Sequence, residues 1–107
     1  MSFRWPNKDP DEQLDYSIDW SRFLGTATIS SVVWSVNNAS GVKTTISGGA
    51  TVNGIQNVAQ SQSTDNKTAT INLGLGTNNT KYTFFCRITD NTGSQAERSV
   101  KLKVREK

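Results

Sequence analysis

The sequence predicts an all-β chain, an immunoglobulin-like sandwich of about seven antiparallel strands, and three observations carry that expectation. Apolar residues recur with period two along the chain, turn formers separate the alternating runs, and no segment keeps helical periodicity over two full turns. Composition agrees: only 34% of the 107 residues are apolar, with Ser, Thr and Asn abundant, which suits short strands with decorated outer faces. A chain of this length holds one core without metal or disulfide support.

Residues 1–13 carry Phe3, Arg4 and Trp5, then Pro6 and Pro10 beside Asp9, Asp11 and Glu12. Two prolines so close favour an extended arm over a helix. The chain is expected to divide into this extended arm and a sandwich domain over 14–107. The arm's aromatic and Arg residues are types that anchor interfaces, so Phe3 and Trp5 are expected to dock on a partner, against this domain's own core, or back over Phe85 of the same chain.

Leu14, Tyr16, Ile18 and Trp20 alternate with Asp15, Ser17 and Asp19 as a strand, and Ser21–Gly25 breaks the parity as a turn or single helical turn closed by Gly25. The next strand runs from Ile29 to Val36, with Val32, Trp34 and Val36 inward and Ser31 and Ser35 outward. A weaker strand covers Val42–Ile46, and Asn53–Gly54 between Val52 and Ile55 marks a type I′ hairpin. From Gln56 to Lys67 the chain reads as polar, with Val58 its one apolar residue of consequence. Ala69, Ile71 and Leu73 mark a further strand before the loop Gly74–Asn79.

The clearest signal is Lys81–Arg105. Tyr82, Phe84, Cys86 and Ile88 share one parity in the first arm, and Ala96, Val100, Leu102 and Val104 share one in the second, around the turn Asp90-Asn-Thr-Gly93. Trp34 and Cys86 stand where immunoglobulin domains place a core tryptophan and second cysteine, with Tyr16, Ile18 or Trp20 filling the region of the missing first one. Tyr82 is placed to bond a nearby backbone group. Phe85 has outward parity and, with Val33, forms an outer apolar patch open to an interface or to cover by the arm.

Chemistry is constrained by what the chain lacks. With no histidine, the commonest general base, the serine and cysteine triads and imidazole metal sites are all excluded. The carboxylates fall in the arm, in turns and on outward strand positions, so neither enzyme activity nor a required metal or cofactor is expected. Asp9, Asp11 and Asp15 lack the glycine and terminal glutamate of a calcium loop, and Gly74-Leu-Gly76 opens no helix that could cradle phosphate. The Asn-X-Ser/Thr triplets at Asn38, Asn66 and Asn78 fit chance in so Asn-rich a chain. The net charge of +3 gathers at Lys101, Lys103, Arg105 and Lys107, where alternating charges keep an edge soluble. Neither a nucleic-acid patch with exposed aromatics nor a membrane span is present. A single cysteine and an N-terminus without an apolar run point to a reducing cytoplasm.

In order along the chain, Trp5-Pro-Asn-Lys-Asp-Pro-Asp-Glu12, Leu14-Asp-Tyr-Ser-Ile-Asp-Trp-Ser21, Ile29-Ser-Ser-Val-Val-Trp34, Tyr82-Thr-Phe-Phe-Cys-Arg-Ile-Thr89 and Ala96-Glu-Arg-Ser-Val-Lys-Leu-Lys-Val-Arg105 resemble the phage fiber–tail adaptor proteins. The resemblance covers nearly the whole chain, least between Asn37 and Lys67. It implies an immunoglobulin-like virion protein present in many copies, assembled in the bacterial host cytoplasm, linking tail fibers or tailspikes to the tail, with other virion proteins as partners. The partner-interface residues expected on this reading are Phe3, Arg4, Trp5 and Phe85. A carbohydrate-binding or host-recognition sandwich is the alternative, and requires an exposed aromatic platform. An adhesion-type immunoglobulin domain of a cellular protein is disfavoured by the leaderless N-terminus.

Overall fold

Strands β8 (Thr80–Asp90) and β9 (Gln95–Val104) pair antiparallel from Thr80↔Val104 to Thr89↔Gln95, as their alternation predicts. The computed structural model describes residues 3–106. The turn between the two strands is tied by Asp90, whose Oδ1 accepts from Thr92 Oγ1 at 2.7 Å and from the Thr92 and Ser94 amides at 2.9 Å, while Gly93 takes φ 93°. Those bonds, the Thr92 hydroxyl first, hold the Asp90 carboxyl below its usual range.

The remaining elements are β1 (Phe3–Arg4), β2 (Leu14–Asp19), the single helical turn α1 (Ser21–Leu24), β3 (Ile29–Asn37), β4 (Lys43–Thr45), β5 (Thr51–Val52), β6 (Ile55–Gln62) and β7 (Thr68–Leu75). One sheet has the order β1-β9-β8-β3-β4 and faces a second, β2-β7-β6-β5. The core of this arrangement, β9-β8-β3 with β4 added against β2-β7-β6, is that of an immunoglobulin-like sandwich. Gly25 closes α1 at φ 58°, and Asn53 (φ 52°) with Gly54 (φ 83°) makes the expected hairpin between β5 and β6.

Between the sheets, Trp34 stands opposite Cys86 in the β3–β8 register, and both are buried. Tyr16, Ile18 and Trp20 from β2 and the residue after it fill the region facing them. Burial pushes the Cys86 thiol up to about 12; it serves as a small apolar group. The Tyr82 hydroxyl donates to the Asn53 carbonyl at 2.7 Å and accepts from the Thr77 amide at 2.9 Å. The late strand is thereby bonded to the β5–β6 turn across the sandwich.

Two expectations need correction. The first is the arm, which is part of the sandwich and not a separate segment over 1–13. β1 pairs in parallel with β9 (Phe3↔Val100, Arg4↔Lys101), and the chain then follows β9 through Trp5 N–H to Lys101 O at 2.9 Å, Lys8 N–H to Lys103 O at 3.0 Å and Arg105 N–H to Lys8 O at 2.8 Å. Pro6 leaves these bonds untouched, because the amides that the arm contributes to them are those of Trp5 and Lys8. Secondly, Gln56–Gln62, which reads only as polar, belongs to strand β6, paired with β7. Its inward residues are Ile55 and Asn57, and a register shift at Val58 then breaks the alternation. Buried Asn57 takes an apolar residue's place because its Nδ2 donates to Ile46 O at 3.0 Å and Gln60 Oε1 at 2.9 Å. Ser35 does take its outward position, in register with Phe85, and is only 5% exposed because it lies between Thr45 and Phe85 on the neighbouring strands.

Candidate functional site

The outer face of the five-stranded sheet follows directly from the parity of β8 and β9. Side chains that do not enter the core come out in rows: Lys81, Thr83, Phe85 and Arg87 on β8, and Glu97, Ser99, Lys101 and Lys103 on β9. The register then divides the face into two chemically different halves.

At one end the charges are matched. Lys43 Nζ lies 2.5 Å from Glu97 Oε1, and Arg87 Nε lies 3.5 Å from the same oxygen. Lys43 reaches Glu97 across Phe85, with its ammonium 5.1 Å from the ring centroid. Phe85 is therefore half-buried beneath a lysine, and Val33, two residues from Phe85's cross-strand partner Ser35, is 45% exposed.

At the other end the charges are unmatched. Lys81 stands directly opposite Lys103, Thr83 opposite Lys101, and Arg4 on β1 opposite Lys101. Arg4, Lys81, Lys101 and Lys103 surround a concavity of about 340 Å³ whose floor includes Thr83. Among the described residues none of these four cations makes an ion pair within 4.0 Å. Like charges directly opposite one another destabilise a sheet, so folding alone gives no reason for this arrangement. β9 is also not a free edge needing charged protection, since β1 lies outside it.

The expected interface residues separate accordingly. Arg4 and Phe85 lie on this outer face. Phe3 takes its place in β1, but its side chain lies outside the described residues. Trp5 is corrected: it is 8% exposed and packs in its own domain's core, stacked on Tyr16 at 4.7 Å between centroids and near Phe84 (5.7 Å) and Trp34 (6.0 Å), with Nε1 donating to Ser17 O at 3.4 Å. It is not available to anchor a partner. The arm, moreover, does not cover Phe85, since it runs along the far side of β9.

Sequence reasoning missed Lys8, which is fully buried and donates through Nζ to Leu75 O at 2.5 Å and Asp9 O at 2.9 Å. A cation midway between two prolines carries no signal of burial, because the carbonyl that receives it is 67 residues away. The acidic residues around it are engaged locally: Asp9 Oδ1 accepts from the Asp11 amide at 2.8 Å, Glu12 Oε1 from the Asp9 amide at 2.9 Å, and Asp15 Oδ1 from Asn72 Nδ2 at 2.7 Å. Burial, together with the Glu12 charge, pushes the Tyr16 hydroxyl up to about 12.

These features define the class: an immunoglobulin-like structural sandwich with a tucked-in N-terminal arm and a basic sheet face. A family model described as podophage GP4 fiber-tail adaptor protein gp77 matches residues 8–103, starting on the buried Lys8. The chain belongs to that family and is a component of the phage tail. No curated protein matches it.

Proposed function

We propose that this protein links tail fibers or tailspikes to the tail without performing catalysis, and that the basic face is one of its docking surfaces. The observation that supports the reading is the row of Arg4, Lys81, Lys101 and Lys103, held against mutual repulsion and without carboxylate partners among the described residues. Such a face steers an acidic protein surface into place and fixes its register. The protein is made in the host cytoplasm, reaches the particle by assembly, and acts there in several copies. A carbohydrate platform has no support, because Trp5, Trp20 and Trp34 are at most 8% exposed.

The test is reconstitution. Tails assembled without this protein are mixed with purified fibers or tailspikes, with and without the purified chain, and sedimented. Fiber attachment that requires the chain is the expected result. Fibers that attach equally well in its absence would overturn the proposal.

A further inference from the structure

Leu75, the last residue of β7, is an apolar side chain turned out of the core. Strand parity groups it with Ala69, Ile71 and Leu73, all of them buried, yet it is 54% exposed. An exposed leucine is ordinary in itself, but this one is exposed by its backbone, which takes φ 59°. The other non-glycine residues with positive φ, among those described, are Asn53, Asn66 and Asn79, a type that tolerates this region. A leucine enters it at a conformational cost.

Such a conformation persists only where its surroundings fix it, and here they do. The buried Lys8 donates through Nζ to the Leu75 carbonyl at 2.5 Å, and the amide of the same peptide, that of Gly76, donates to the Gly54 carbonyl at 2.9 Å. Glycine or asparagine at 75 would meet the same bonds without the strain, so folding gives no reason for a leucine.

The surface beside Leu75 is acidic. Residues 9–21 carry five of the chain's nine carboxylates, Asp9, Asp11, Glu12, Asp15 and Asp19, and no lysine or arginine. Lys8 Nζ ties the start of this stretch to Leu75, since it also bonds the Asp9 carbonyl at 2.9 Å. Gln13 then lies against Gly74, and Asp15 stands opposite Asn72 in the β2–β7 register. The exposed Asp11 and Asp15 make no ion pair within 4.0 Å among the described residues.

Resting on the adaptor reading, we propose that Leu75 and the acidic stretch beside it form a second docking point. There the leucine enters an apolar socket in a basic surface of the virion partner that the basic face does not hold. A linker needs two surfaces, and opposite charge on the two keeps each from taking the other's partner. A second copy of this chain is the poorer fit. Its basic concavity offers a leucine no socket, because the apolar residues that line it, Tyr82 and Leu102, are at most 1% exposed.

Leu75→Asn tests this, with the affinities for tails and for fibers measured beside the melting temperature. Asparagine keeps the backbone conformation and removes the apolar anchor, so the melting temperature should be kept or raised. Affinity for one partner should fall at least about tenfold, as the loss of a buried leucine implies, and Asp11→Lys should weaken the same partner, more at low salt than at high. That partner should be the one whose binding survives Lys81→Glu, Lys101→Glu. If Leu75→Asn binds both partners like the parent, or loses the same partner as the lysine variant, the proposal is overturned while the adaptor reading stands. A lowered melting temperature would make Leu75 a packing residue and overturn it as well. Self-association of the free chain that Leu75→Asn abolishes would assign the leucine to a second copy, with the same consequence. If the parent chain binds neither tails nor fibers, the adaptor reading falls and takes this inference with it.

Discussion

Replacing Trp5 with alanine separates an arm that is integral to the fold from one that is merely attached. Trp5 is 8% exposed and contacts aromatic rings from both sheets. A tryptophan buries roughly 150–250 Å², which at about 25 cal/mol per Å² is about 4–6 kcal/mol. Allowing for apolar surface already buried in a compact unfolded chain lowers this to about 3–5 kcal/mol, in line with aromatic-to-alanine core truncations. Domains of this size have a total stability of about 5–15 kcal/mol, so the loss is a large share. With a urea dependence of about 2 kcal/mol per molar, the unfolding midpoint followed by far-UV circular dichroism should fall by about 2 M. Removing residues 2–12 takes away Lys8 as well and should lower it further. A Trp5→Ala midpoint within about 0.3 M of the parent would refute the reasoning, since at that slope the residue would contribute well under 1 kcal/mol.

Tyr82→Phe leaves the Asn53 carbonyl and Thr77 amide without their shared partner, and should cost about 1–3 kcal/mol in chemical denaturation. Gly76→Ala should destabilise by at least about 1 kcal/mol, measurable as a lowered melting temperature, because Gly76 has φ 107° and an added Cβ would lie 2.9 Å from Val104 Cγ2. Stability should be nearly flat from about pH 5 to 9, as the chain has no histidine. On the acid side Asp19, Asp65 and Asp90 are all held below the ordinary 3.8 by hydrogen bonds from Ser21, Ser63 and Thr92 respectively. The folded state therefore binds fewer protons than the unfolded one there, and stability is lost as pH falls below that value. On the alkaline side Tyr16 and Cys86 are raised to about 12, so the stability their neutral forms provide is lost as pH climbs from the unfolded values towards 12. Melting temperatures across this range check both limbs.

The fold was legible wherever alternation and turn chemistry agree, as in β8–β9, β2 and the Asn53–Gly54 hairpin. It was hidden where a side chain's environment is supplied from far along the chain. Trp5 and Lys8 look like decorations of a proline-rich arm until β9 and the Leu75 carbonyl are brought to them. β6 reads only as a polar stretch because Asn57 holds a core position through hydrogen bonds, and apolar periodicity does not count such residues. On the candidate site, outward parity located Lys101, Lys103 and Phe85. Only the register of β9 with β8 and β1 shows that Lys81 and Arg4 join the same row, and that the charges at Phe85 are already paired.

The central claim is that the unmatched cations of the β1-β9-β8 face dock a virion partner. The most direct measurement is the affinity of the double variant Lys81→Glu, Lys101→Glu for tails and for fibers, alongside its melting temperature. Lys81→Glu replaces a like-charge pair opposite Lys103 with an opposite-charge one, so stability should be kept or slightly raised. Binding to one of the two partners should nevertheless fall by at least about tenfold at moderate salt, as expected when attractive charges on a docking face are reversed. A variant that keeps parental affinity for both tails and fibers would contradict the account.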